Sequence, residues 1–174
     1  MIEILKQSLW DQFGASIRML ENAIEMQPDD RWHADKLFFY NAYHCVVMLD
    51  CYLTIPPKDF AAQLPFKFAS PEEIPPGVIG DMVPLRIYEK HELLSYLQYA
   101  KEKCRLLISK LTEKSIENER YVEEIDADDA MNYPIIEILF YNMRHVQHHA
   151  AQLNMLLRNS IDQSPGWVFR VDDK

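Results

Sequence analysis

Seven of the ten prolines fall between positions 56 and 84 (Pro56, Pro57, Pro65, Pro71, Pro75, Pro76 and Pro84), with Gly77 and Gly80 among them. Proline lacks the amide proton that a helix needs, and its ring clashes with the preceding turn, so no helix runs through this stretch. The chain is cut into two helical halves joined by a long connection, about 55–88. Phe60, Phe66, Phe68, Ile74, Val78 and Ile79 make this connection too apolar for a solvated linker. It is expected to lie packed on the domain.

On either side, apolar residues recur at spacings of three and four, the period of a helix with one buried face. Four segments carry this pattern, at about 2–26, 34–54, 89–118 and 134–159. The first aligns Phe13, Ile17, Leu20 and Ile24. The second aligns Leu37, Tyr40, His44, Val47 and Cys51 and is apolar nearly all round, as suits the most enclosed helix. The third aligns Leu93, Leu97, Ala100, Cys104, Leu107 and Leu111, and the fourth begins at Pro134, a residue suited to the first helical position. No strand pattern stands out before the short "GWVFRV" at 166–171. With 174 residues, 48% of them hydrophobic, the chain can fill one core. The expected fold is a single all-α domain, a four-helix bundle with a long Pro-rich crossover between helices two and three. A connection of that length can traverse the bundle, which lets the two helices it joins run parallel.

Lys and Arg number 18 against 27 Asp and Glu, for a formal net charge of −9. Phosphate backbones repel such a surface, and no basic patch compensates, so nucleic acid is excluded as a partner. No apolar run approaches the ~18–20 residues needed to span a bilayer. The start, "MIEILKQSLWDQF", lacks the basic, apolar and small-residue regions of a secretory signal. Three cysteines (Cys45, Cys51 and Cys104) without a CxxC pair suit neither a disulfide framework nor a thiolate zinc site. A cytoplasmic protein with a small-molecule partner is expected.

The segment "RHVQHHAAQLNMLLR" (144–158) then crowds His145, His148 and His149 into an otherwise apolar helix. Residues four apart share a helix face, which pairs His145 with His149; Gln152 continues that stripe. His44 stands at mid-helix in the second segment, so two helices can bring these rings to one level. Zinc and nickel favour imidazole nitrogens, and three ligands leave one position for water or a thiolate. His148 is rotated by about 100° from His149 and is assigned to the surface or to a supporting role. A competing account is open on the residues alone. Leu139, Met143, Val146, Ala150, Leu153 and Leu157 form a purely apolar stripe on the same helix. If that stripe is the core face, His145 and His149 flank it as ordinary hydrogen-bonded residues.

"HVQHHAAQL" (145–153) resembles the fourth-helix motif of the DinB/YfiT-like family, written HxxHHRGQ and followed by an apolar residue. (This DinB is unrelated to the polymerase that shares the name.) "FFYNAYHCVVMLD" (38–50) is similar to the family's second helix, with one histidine among apolar residues, and "LKQSLWDQFGASIRML" (5–20) to its first. The resemblance covers essentially the whole chain. It implies a four-helix bundle with a three-histidine metal site, with His44, His145 and His149 as ligands and Gln152 at the family's glutamine. It also implies a divalent ion, zinc or nickel foremost, and chemistry that includes transfer reactions using low-molecular-weight thiols. Relatives are often homodimers, and the apolar loop at Phe66 and Phe68 is the interface candidate. One departure bears on function: Ala150 and Ala151 replace the family's "RG", removing a cation beside the site.

Other metal and hydrolase patterns fail. No Glu-x-x-His pair supports a ferritin-like di-iron centre. Met48 stands where a haemerythrin-like carboxylate belongs, four after His44. Val146 replaces the glutamate base of HExxH, and GxSxG is absent. Tyr40, Asn41, Tyr141 and Asn142 precede the proposed ligands by three or four residues, with packing as their simplest role. Tyr141 joins Gln152 as a candidate catalytic residue. Trp10 and Asp11 are nominated by family position alone; Asp50 points largely away from His44, and Cys45 is read as core. Two functional expectations remain. One is a metal-dependent hydrolase or thiol-dependent transferase; the other is a helical binding or stress-response module whose histidines are structural.

Overall fold

The computed structural model describes residues 1–78, 80–125, 128 and 130–171. The chain is mostly helical. Its long helices are α1 (Ile2–Met26), α3 (Lys36–Tyr52), α4 (Lys90–Ser109) and α6 (Ile135–Ile161), with short α2 (Asp29–Trp32) and α5 (Glu113–Asn118) between them. Two antiparallel hairpins complete it: β1 (Phe66–Phe68) with β2 (Met82–Pro84), and β3 (Arg120–Val122) with β4 (Asn132–Pro134).

Local chemistry sets the helix ends. The Asp35 carboxylate accepts the Phe38 amide at 3.0 Å and starts α3. Glu89 and Glu92 cap α4 reciprocally, each carboxylate taking the other's backbone amide. The third apolar segment does not run unbroken to 118. It stops after Ser109, and Thr112 and Ser115 form a second capping box that starts α5. Leu111 is therefore buried beyond α4 rather than on its stripe. Pro134 ends β4 and directly precedes the first helical residue, Ile135, instead of opening the helix itself. The segment 166–171 forms no strand.

α1 packs on α4 and α6, and α3 packs on the same two, so the long helices enclose one core. Phe13, Ile17, Leu20 and Ile24 of α1 meet Phe39, Val46 and Leu49 of α3, Leu93 and Leu97 of α4, and Leu139, Val146 and Leu153 of α6 there, all fully buried. Each such side chain stabilises the fold by roughly 1.5–3 kcal/mol relative to exposure. The stripe expected to be deepest on α3 is in fact its margin. Leu37 is exposed, and Tyr40, His44 and Cys51 are half-buried, while Val47 alone of that row is enclosed. His44 thus sits where core gives way to surface.

The Pro-rich connection packs as expected, through tyrosine hydroxyls. Tyr43 donates to the Leu64 carbonyl at 2.7 Å, and Tyr88 donates to that of Pro65 at 2.6 Å. Phe60 and Phe66 lie against the core, but Phe68 points outward at 70% exposure; Ile79 lies outside the described residues. The C-terminal segment docks on α1. Val171 donates its amide to the Asp11 carbonyl at 3.1 Å, and Arg170 reaches the Asp11 carboxylate at 2.5 Å. A Cβ on Gly14 would come within 2.8 Å of Val171, so glycine there permits the close approach. Among the described residues no helix is long and apolar enough to cross a membrane.

A buried ion pair joins α3 to α4. Asp50, 2% exposed, accepts from Tyr96 at 2.7 Å and from Lys103 at 2.5 Å. Lys103 also donates to Thr54 and to the Asp50 carbonyl, so its three protons are all used. Asp50→Ala leaves a largely enclosed ammonium without its counter-ion and is expected to cost about 3 kcal/mol. Urea denaturation measures this, and a loss below about 1 kcal/mol contradicts it.

Candidate metal centre

Three imidazoles converge between α3 and α6. His44 comes from the margin of α3, and His145 and His149 from successive turns of α6. The Nε2 atoms of His44 and His145 are 3.3 Å apart, and one potential ligand atom from each of the three rings lies within 4.8 Å of the others. Ring centroids are separated by 5.3 Å (His44–His145), 5.0 Å (His44–His149) and 4.4 Å (His145–His149). The apolar stripe of α6 is indeed its core face, with Val146, Ala150, Leu153 and Leu157 fully buried. The histidines flank it on the side turned to α3.

Hydrogen bonding decides what kind of histidines these are. His149 is 4% exposed, and its Nδ1 lies 2.7 Å from Asn41 Oδ1. His44 and His145 have no comparable support, since the Nδ1 atom of each is buried without a partner. Among the described residues their ring nitrogens find no hydrogen-bond partner but each other, which is not the pattern of ordinary satisfied core residues. Burial lowers His44 to about 4. His145 falls to about 3 through burial and then the charges of His149, His44 and His148. His149 falls to about 4 through burial and the charges of His44 and His148, opposed by the nearby Gln152 amide. All three rings are neutral at neutral pH, the protonation state in which an imidazole binds metal.

The donor set fits a divalent ion. With zinc–nitrogen bonds of roughly 2.0–2.1 Å, a tetrahedral edge is about 3.3–3.4 Å. The His44–His145 separation of 3.3 Å matches such an edge. Three neutral nitrogens and no carboxylate or thiolate make up the group. Among the described residues no other cluster of three or more histidines, cysteines or acids is gathered this way. A surface cavity lined by Trp10, Arg105 and Ile108, and another along α4 by Tyr99, Lys103 and Leu106, contain none of these histidines.

The remaining candidates sort clearly. Gln152 is half-buried, and its Oε1 is enclosed without a partner. Tyr141 is one ring removed: it meets Tyr52 edge-on at 5.2 Å, and Tyr52 meets His145 edge-on at 5.7 Å. Tyr52, eight residues after His44, was not singled out by spacing, because its neighbour Tyr121 comes from the β3–β4 hairpin, whose Tyr133 in turn packs on Tyr141. Asn142 ties α6 to α3 by donating to the Leu49 carbonyl at 3.0 Å, and Tyr40 packs on Phe39. His148 is exposed, 5.2 Å from His149 between ring centroids, and outside the ligand group. Asp50 belongs to the Lys103 pair and Asp11 to the C-terminal segment, while Trp10 is core. Burial pushes the Cys45 thiol up, leaving it an inert core residue.

Comparison with protein-family models, curated proteins and solved structures gives no match to this chain. What the chain can do is therefore argued from the geometry just described.

One consequence concerns acid. Without metal, the three rings are neutral in the fold, whereas in the unfolded chain they take up protons below their ordinary value of 6.5. The unfolded state holds more protons between about pH 6.5 and 4, so stability rises with pH across that window and is lost as pH falls through it. The metal-free protein is expected to lose urea resistance steadily over that range, and His145→Leu to lose less. Equal pH slopes for the two proteins would contradict the assignment.

Proposed function

We propose that this chain is a metal-dependent enzyme of DinB-like type, a hydrolase or thiol-dependent transferase acting on a small molecule. His44, His145 and His149 hold one divalent ion, zinc or nickel. The observation that carries this reading is the pair His44 and His145: two half-buried rings with Nε2 atoms 3.3 Å apart and, among the described residues, no other hydrogen bond to explain them. A closed ring of helix contacts supports the bundle part of the reading, with the Pro-rich connection as the crossover between its second and third long helices. On this reading the protein is cytoplasmic, and Phe68, exposed on the connection, belongs to a homodimer contact.

A bound ion of this kind acts as a Lewis acid and keeps water or a thiol deprotonated and nucleophilic at neutral pH. The chain's own residues supply the rest. Three neutral imidazoles hold the ion without cancelling its charge, which favours an anionic partner. Gln152 offers an enclosed carbonyl oxygen that can accept a hydrogen bond from a molecule placed beside the histidines. Tyr52 and Tyr141 wall one side with aromatic surface. Ala150, where the family motif has arginine, is fully buried and gives the site no cation. A substrate is therefore held by the ion and the amide rather than by a basic side chain.

Elemental analysis of protein purified without added metal tests the reading. About one equivalent of zinc or nickel is expected, lost in His44→Ala and in His145→Ala. Folded wild-type protein with no metal in any preparation would instead leave a non-catalytic helical module with structural histidines. The bound ion should also leave as pH falls through the histidine range, because protons compete for the ring nitrogens. Full retention at about pH 4, measured after gel filtration, is incompatible with ligation by imidazole.

A further inference from the structure

We propose that Asn41 is the positioning residue for His149: its amide oxygen keeps the ring proton on Nδ1 and so presents an unprotonated Nε2 to the centre shared with His44 and His145. The consequence for metal affinity rests on the metal reading above; the tautomer does not.

Asn41 lies on α3, three residues before His44, and is 4% exposed. Its Oδ1 stands 2.7 Å from His149 Nδ1. An amide oxygen can only accept, so Nδ1 must donate. A neutral imidazole has one ring proton, and committing it to Nδ1 leaves the Nε2 lone pair bare. Among the described residues His149 is the one member of the trio with such a partner, since Nδ1 of His44 and Nδ1 of His145 have none there. Two rings are held by packing and by each other, and the third is fixed in tautomer and in rotation about its own axis. The bond also crosses the helix pair that builds the site, with acceptor on α3 and donor on α6. It makes the seat of His149 depend on the same contact that delivers His44. Partners of this kind behind a metal-binding imidazole are typically worth 10–100-fold in affinity.

The test compares metal-free wild-type protein with Asn41→Leu, which keeps the branched shape and removes the acceptor, and Asn41→Asp, which keeps an acceptor. Long-range proton–nitrogen NMR of the His149 ring reads its tautomer. Wild type and Asn41→Asp are expected to carry the proton on Nδ1, and Asn41→Leu to move it to Nε2. Zinc affinity, measured against a chromophoric chelator, should fall about 10–100-fold in Asn41→Leu and be retained in Asn41→Asp. A proton on Nε2 in the wild type overturns the proposal. So does an Asn41→Leu protein that melts lower yet keeps both tautomer and zinc affinity, the pattern of a merely structural side chain. Wild-type protein that takes up no zinc defeats the metal reading instead, and the tautomer comparison still decides what Asn41 does.

Discussion

Two buried asparagines, one on each helix, fasten α3 to α6. Asn142 donates to the Leu49 carbonyl 93 residues earlier in the chain, and Asn41 accepts from His149, 108 residues later. A polar bond inside a packed interface fixes register, because a shift along either helix leaves a donor or acceptor enclosed and unpaired. Apolar packing alone tolerates sliding far better. The positions of His44 and His145 follow from that fastening. Among the described residues neither ring is held by side-chain hydrogen bonds beyond the one they share, so the helix pair sets where both stand.

Two kinds of enclosed polar chemistry stand side by side in this fold. Around Asp50 every donor and acceptor is matched: Lys103 spends all three protons, and Tyr96 takes the other carboxylate oxygen. Around His44 and His145 the matching is deliberately short, with two ring nitrogens unanswered. The first arrangement stabilises a particular packing of α3 on α4. The second holds neutral nitrogens close together at the margin of the core, where burial lowers both rings and other imidazoles act by charge on His145. Protein interiors rarely tolerate such a deficit without a use for it.

Much of this was legible in the sequence. Prolines from 56 to 84 located the break, and the three-and-four spacing of Phe13, Ile17, Leu20 and Ile24 marked α1 correctly. His44, His145 and His149 were visible as spaced rings on two enclosed helices. The break at 110–112 was not, because "KLTEKS" contains neither glycine nor proline, and a hydroxyl capping box leaves the apolar period looking continuous. Three-residue strands such as Phe66–Phe68 are too short for an alternating pattern to show. The partly open side of α3 was missed because a helix that is apolar all round does not announce which row faces outward. Asn41 was noticed as a neighbour of His44 on the same face. Its bond to a ring on another helix depends on tertiary approach, which spacing along one segment does not encode.

Gly80 lies at the lip of the site. With φ at +74° it takes a backbone conformation that suits glycine, and a Cβ built there would come to 3.9 Å from His44. The margin of the histidine cluster on that side is therefore framed by irregular chain from the Pro-rich connection, while the nitrogens themselves are carried by helices. Connecting segments accept substitution and insertion more readily than the packed elements they join. The approach to His44 and the placing of the ring nitrogens are in this way separable: reshaping the connection leaves the scaffold of α3 and α6 untouched.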